Sequence, residues 1–100
     1  MAKSYRLTPL AEIDIEEIWL YSNQNWGGEQ ADTYHQNIIN TIASLINGHK
    51  QGRPVSSLPD FHKVLCGAHV IYFIETDSSI DVIRILHQKQ DVELNLIGYP

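Results

Sequence analysis

One hundred residues with 43% hydrophobic content suffice for one core and not two, which predicts a single domain over residues 1–100. No apolar run approaches the roughly 20 residues of a membrane span. Twelve Asp and Glu against seven Lys and Arg give a net charge of −5 with the cations scattered, which argues against direct nucleic-acid binding. Cys66 is alone, so no internal disulfide can form, and the basic start Met1-Ala2-Lys3-Ser4-Tyr5-Arg6 is not followed by an apolar stretch or cleavage site; a cytoplasmic protein is expected.

Residues 4–8, Ser-Tyr-Arg-Leu-Thr, alternate polar and apolar as a half-buried strand does, and Pro9 ends them. Thr8 as N-cap, Pro9 at the first helical position and the acids Glu12, Asp14, Glu16 and Glu17 predict a helix from about 9 to 24. Its core stripe is Ala11, Ile15 and Ile18, and the spacing of its carboxylates turns them to solvent. At about 100° per residue, Ile13 and Leu20 share a line on the far side, a second apolar edge that calls for another helix or a partner. Asn25-Trp26-Gly27-Gly28 breaks the pattern. Glu29 and Asp32 then open a second helix to about 47, buried through Ala31, Tyr34, Ile38, Ile42 and Leu45. The short connection predicts an antiparallel helical hairpin.

Asn47-Gly48 stops this helix, and residues 49–59, with Gly52-Arg53-Pro54 and Leu58-Pro59, read as loop. Residues 61–66, 68–76 and 80–88 are rich in Val, Ile, Phe and Tyr and read as three antiparallel strands, the last two joined by Thr76-Asp77-Ser78-Ser79. Asp91 is expected to cap a short terminal helix carrying Val92, Leu94 and Leu96. The order β-α-α-β-β-β defines an α+β fold: a helical hairpin packed on an antiparallel-rich four-stranded sheet, with a short C-terminal helix. Pairing Glu75 with Ile80 puts Val70, Tyr72, Ile74, Ile83 and Ile85 on one sheet face and Ile71, Phe73, Val82, Arg84 and Leu86 on the other. The hairpin covers one face. The other awaits the terminal segment or another polypeptide.

His35, His49, His62, His69 and His87, with Cys66, show no metal-ligand spacing, and in this register His69 and His87 point to opposite faces, so no metal site is expected. Cys66 reads as core, with no nucleophile turn beside it, and Gly27-Gly28 reads as a tight interhelical turn. No catalytic residue or cofactor is assigned. Arg84, flanked by Ile83, Ile85 and Leu86, must pair or face an opening, which leaves a salt bridge with Glu75 or a helix carboxylate and a partner-binding role both open. Trp19 and Trp26 suit core or interface alike. The residues expected to contact a partner are Ile13, Leu20, Trp19, Trp26, Ile71, Phe73, Arg84 and His87.

Several stretches together carry a family resemblance: Leu7-Thr8-Pro9-Leu10-Ala11 with Asp14-Ile15, Ile18 and Tyr21; Trp26-Gly27 with Gln30-Ala31 and Tyr34; and Gly52-Arg53-Pro54. His69-Val70-Ile71-Tyr72-Phe73 and Val82-Ile83-Arg84-Ile85-Leu86-His87-Gln88 with Asp91-Val92 complete the set. Along nearly its full length the chain resembles the ParE toxins of the RelE/ParE superfamily. The resemblance implies the toxin of a type II, plasmid-stabilising toxin–antitoxin system, which binds DNA gyrase and is neutralised by a ParD-like antitoxin. The RelE branch of the same fold instead cleaves messenger RNA on the ribosome with several basic residues and a tyrosine or histidine. That alternative would use Arg84 and His87, yet this sheet supplies only Lys63, Arg84 and Lys89 as cations. Ala68 and Ile74 stand where the family often has arginine, which removes further charge and opens a third alternative, a degenerate toxin that only binds antitoxin. Tyr99, after Gly98, is expected in a mobile tail rather than in a catalytic role.

Overall fold

The computed structural model describes residues 3–90 and 92–96. Its elements run β1 (Ser4–Leu7), α1 (Pro9–Trp26), α2 (Gly28–Ile46), β2 (Arg53–Val55), β3 (Leu58–Cys66), β4 (His69–Glu75), β5 (Ser79–His87) and α3 (Val92–Leu96). The five strands lie in the order β1-β5-β4-β3-β2, with β1 parallel to β5 and the other neighbours antiparallel. The α+β architecture with a helical hairpin is as expected. The sheet has five strands rather than four, because part of the segment read as loop forms β2. Pro54 fits there because an edge strand need not donate on its outer side. The expected Asp91 cap and the Tyr99 tail lie outside the described residues.

Thr8 makes the corner between β1 and α1. Its backbone is extended, φ −68° and ψ 160°, and its Oγ1 accepts from the Ala11 N–H at 3.1 Å while donating to the Ile83 carbonyl at 2.8 Å. Its own N–H donates to the Val82 carbonyl at 3.1 Å. One residue therefore caps the helix and continues the β5 edge where β1 stops.

A β-bulge shifts the β4–β5 register. Glu75 pairs with Ile80 and Phe73 with Val82 as expected, but Tyr72 pairs with Arg84, Ile71 with Ile85 and Val70 with Leu86. Ile83 is the extra residue, and beyond it every β5 side chain changes partner. Ile85 thus joins Ile71, Phe73, Ile80 and Val82 beneath the helices, packed on Ala11, Ile15, Ile38, Ile42 and Leu45. Leu86 joins Val70, Tyr72 and Ile83 on the reverse face, where Val55, Phe61 and Leu96 close over them.

This packing overturns one expectation. Ile71, Phe73 and Val82 are all 0% exposed, and α3 with the β2–β3 turn region buries much of the reverse face, leaving Leu65 at 64% exposure. Neither Ile71 nor Phe73 is a contact for a partner in this structure. The chain's own short elements supply the second layer that the helical hairpin alone does not.

Candidate functional site

Most of the exposed large apolar side chains lie on α1 and at the hairpin tip, with Tyr5, Leu65 and Leu94 exposed elsewhere. Ile13 and Leu20 are 48% and 47% exposed, and Leu10 and Tyr21 extend the same side of the helix. They form an exposed apolar side of α1, interrupted by Glu17, that no described element covers. Trp19 is half-buried, and its indole N–H donates to Asp32 at 2.8 Å, tying α1 to α2. It therefore serves mainly as a hairpin clasp, beside Leu20 in a groove of about 420 Å³ rimmed by Glu12, Glu16 and Asp32.

A second cavity, of about 470 Å³, opens between the hairpin tip and the β3–β4 turn. Helix α1 contributes Glu17, Ile18, Tyr21, Ser22 and Trp26; α2 contributes Gln30 and Tyr34; the sheet contributes Ala68, His69 and His87. Its size falls within the range of small-molecule pockets, roughly 300–1,000 Å³. Trp26 is 64% exposed and meets Tyr21 edge-on, with ring centroids 5.8 Å apart.

The bulge in β5 builds the floor. It makes His69 and His87 direct cross-strand partners with ring centroids 5.5 Å apart, so the expectation that they face opposite ways is corrected. Tyr34 anchors the pair. Its hydroxyl accepts from the Ala68 N–H at 3.1 Å, lies 3.1 Å from the Cys66 carbonyl and 2.6 Å from His69 Nδ1. A hydroxyl has one proton, so Tyr34 donates it either to the Cys66 carbonyl or to His69 Nδ1, and the imidazole tautomer decides which. Burial holds the His69 imidazole below its ordinary range, with the neighbouring His87 acting in the same direction, and burial pushes the Tyr34 phenol up. Gly67 turns the chain here with φ +59°, and a Cβ on it would lie 2.7 Å from the Tyr34 hydroxyl oxygen.

Arg84 does not face an opening. Its Nε and Nη2 donate to Asp14 Oδ2 and Oδ1 at 2.8 and 2.9 Å, and the Ile85 N–H donates to the same Oδ2 at 2.9 Å. This bond raises the Arg84 pKa above its ordinary value. Of the two alternatives the sequence left open, the structural salt bridge is the one formed, and its partner is a helix carboxylate; Glu75 pairs with Lys3 instead. Asp14 is buried, contrary to the expectation that the carboxylates of the first helix face solvent. It sits three residues after Ala11, on the core side of α1, where β5 runs on past the end of β1. Cys66 is buried, as read from its neighbours.

The sequence picked out Trp26 and His87, which the fold brings together. It missed Glu17, and His69 as a lining group, and gave Tyr34 only a packing role. The signal for Tyr34 was its three-residue step from Ala31, which fixes its face; its reach to a turn more than thirty residues away is a matter of tertiary packing. Among the described residues no group of three or more His, Cys, Asp or Glu is placed to hold a metal, and no helix is long and apolar enough to cross a membrane.

This architecture has a counterpart among solved structures. A chain of "Chromosomal ParDE TA system from P. aeruginosa" matches with a TM-score of 0.74 at 21% identity, covering 86% of this chain and 96% of that one. At that identity the likeness is one of fold. Residues 5–92 match the family model described as the ParE toxin of type II toxin-antitoxin system, parDE. The chain is 34% identical to Toxin ParE1 of Mycobacterium tuberculosis over 98 residues, 96% of this chain and all of that one. It is 33% identical to Toxin ParE1 of Caulobacter vibrioides over 95 residues, 94% of this chain and 98% of that one. This chain therefore belongs to the ParE toxin family of type II toxin–antitoxin systems.

Proposed function

We propose that this toxin acts by protein–protein contact, inhibiting DNA gyrase in the cytoplasm until a cognate, ParD-like antitoxin binds and neutralises it. The observation that carries this reading is the exposed apolar side of α1, Leu10, Ile13, Leu20 and Tyr21, on a toxin-family fold whose sheet packs a core on each face. Such a surface suits a helix laid along it or an aromatic anchor set into it. The free thiol of Cys66 fits a reducing compartment.

The Tyr34–His69–His87 cluster favours the messenger-RNA endoribonuclease as a second reading, since a tyrosine and two histidines are acid–base groups. Charge opposes it. Glu17 lines that cavity, and Arg84 is held by Asp14 instead of standing free to meet a phosphate. A supercoiling assay with purified protein and gyrase separates the readings. Inhibition without cleavage of messenger RNA is expected; discrete codon-level cuts by primer extension with unimpaired supercoiling would overturn the gyrase reading. Full growth without antitoxin would point to the degenerate toxin.

A further inference from the structure

The cavity at the hairpin tip has chemistry of its own that the exposed apolar side of α1 does not explain. Its walls are aromatic, with Trp26, Tyr21 and Tyr34 on the helices. Its one formally charged lining residue is Glu17, which makes no ion pair or side-chain hydrogen bond among the described residues. The nearby cation Arg84 is bonded twice to Asp14 and reaches Glu17 only through its longer-range field. On the floor lie the His69 and His87 imidazoles, with His69 Nδ1 2.6 Å from the Tyr34 hydroxyl. Aromatic faces and an exposed carboxylate with no hydrogen-bonded partner among the described residues are complementary to one kind of group: a cation that carries N–H donors on an apolar stem. A phosphate meets the wrong sign, and a purely apolar side chain leaves the carboxylate without a partner.

We propose that this cavity is a receptor for an arginine side chain presented by a partner polypeptide. The guanidinium forks onto Glu17 and its plane lies against Trp26 or Tyr21. The inference rests on the reading that this toxin works through polypeptide partners, and it specifies what such a partner must offer.

The test is an NMR titration of the full chain with N-acetyl-arginine amide, following the indole N–H signals. Trp26 should shift saturably, while Trp19, fixed to Asp32 across the hairpin, serves as the internal control. Glu17→Gln should weaken binding about tenfold by removing a charge-assisted bond, and Trp26→Ala several-fold, followed through the His69 and His87 ring signals. Both positions are exposed, and an unchanged Trp19 signal in either variant reports an intact hairpin. N-acetyl-norleucine amide should bind far more weakly. Equal shifts with norleucine amide, tighter binding of adenosine monophosphate, or no shift of Trp26 would each overturn the proposal. Gyrase inhibition is read separately, so a cavity blind to arginine in a chain that still blocks supercoiling sinks this inference and spares the function.

Discussion

Asp14 holds together three parts of the molecule, the middle of α1, the Arg84 guanidinium and the Ile85 amide. Asp14→Ala leaves a partly buried cation and a buried N–H unpaired, and should cost about 3 kcal/mol in urea denaturation. A loss below about 1 kcal/mol would show the pair to be dispensable. Gly67→Ala forces a side chain into a left-handed turn and against Tyr34, which should cost about 1–2 kcal/mol. The His69 and His87 ring signals should move with it, because Tyr34 positions that pair. His69 also sets a pH dependence. Its folded-state pKa is depressed by burial, so the unfolded chain takes up the proton first as pH falls through the ordinary value of 6.5. The contribution to stability is complete above that value and is lost toward more acidic pH. Between pH 7 and 5 the urea midpoint should fall less steeply in His69→Gln than in the parent; parallel slopes would refute it.

Elements differ in how plainly the sequence writes them. Helix α1 was legible because Thr8 and Pro9 mark its start and Ala11, Ile15 and Ile18 recur at helical spacing; its exposed edge at Ile13 and Leu20 followed from the same geometry. Strand β2 was hidden because three residues, one of them proline, carry too little periodicity to outweigh the turn signals around them. The bulge at Ile83 was hidden for another reason. Strand composition is the same before and after it, and only the facing strand decides which residue is skipped. That omission also concealed the candidate cavity, since the meeting of His69 and His87 depends on the skipped residue. The α1 edge yields a prediction at this scale. Ile13→Lys with Leu20→Lys, both at exposed positions, should leave the urea midpoint within about 0.5 kcal/mol of the parent while weakening antitoxin binding at least tenfold. Unchanged affinity in a calorimetric titration would remove α1 from the interface.

For the molecule as a whole, charge and connectivity matter more than any single contact. A net charge of −5 repels a polyanion, so duplex DNA should not be retained by the purified chain in a gel-shift assay at about 150 mM salt. A salt-sensitive shifted band would reverse that view and reopen direct nucleic-acid contact. The sheet is assembled from distant parts of the sequence: β1 pairs in parallel with β5, Ser4 opposite Ser79, and Arg6 and Lys3 clasp Asp81 and Glu75 across the same seam. Such non-local pairing slows folding, because the intervening chain must be closed into a loop before the strands reward each other. During translation the opening strand therefore waits for its neighbour until most of the message has been read. The fold is completed late, and any polypeptide that recognises it has that whole interval in which to meet the nascent chain.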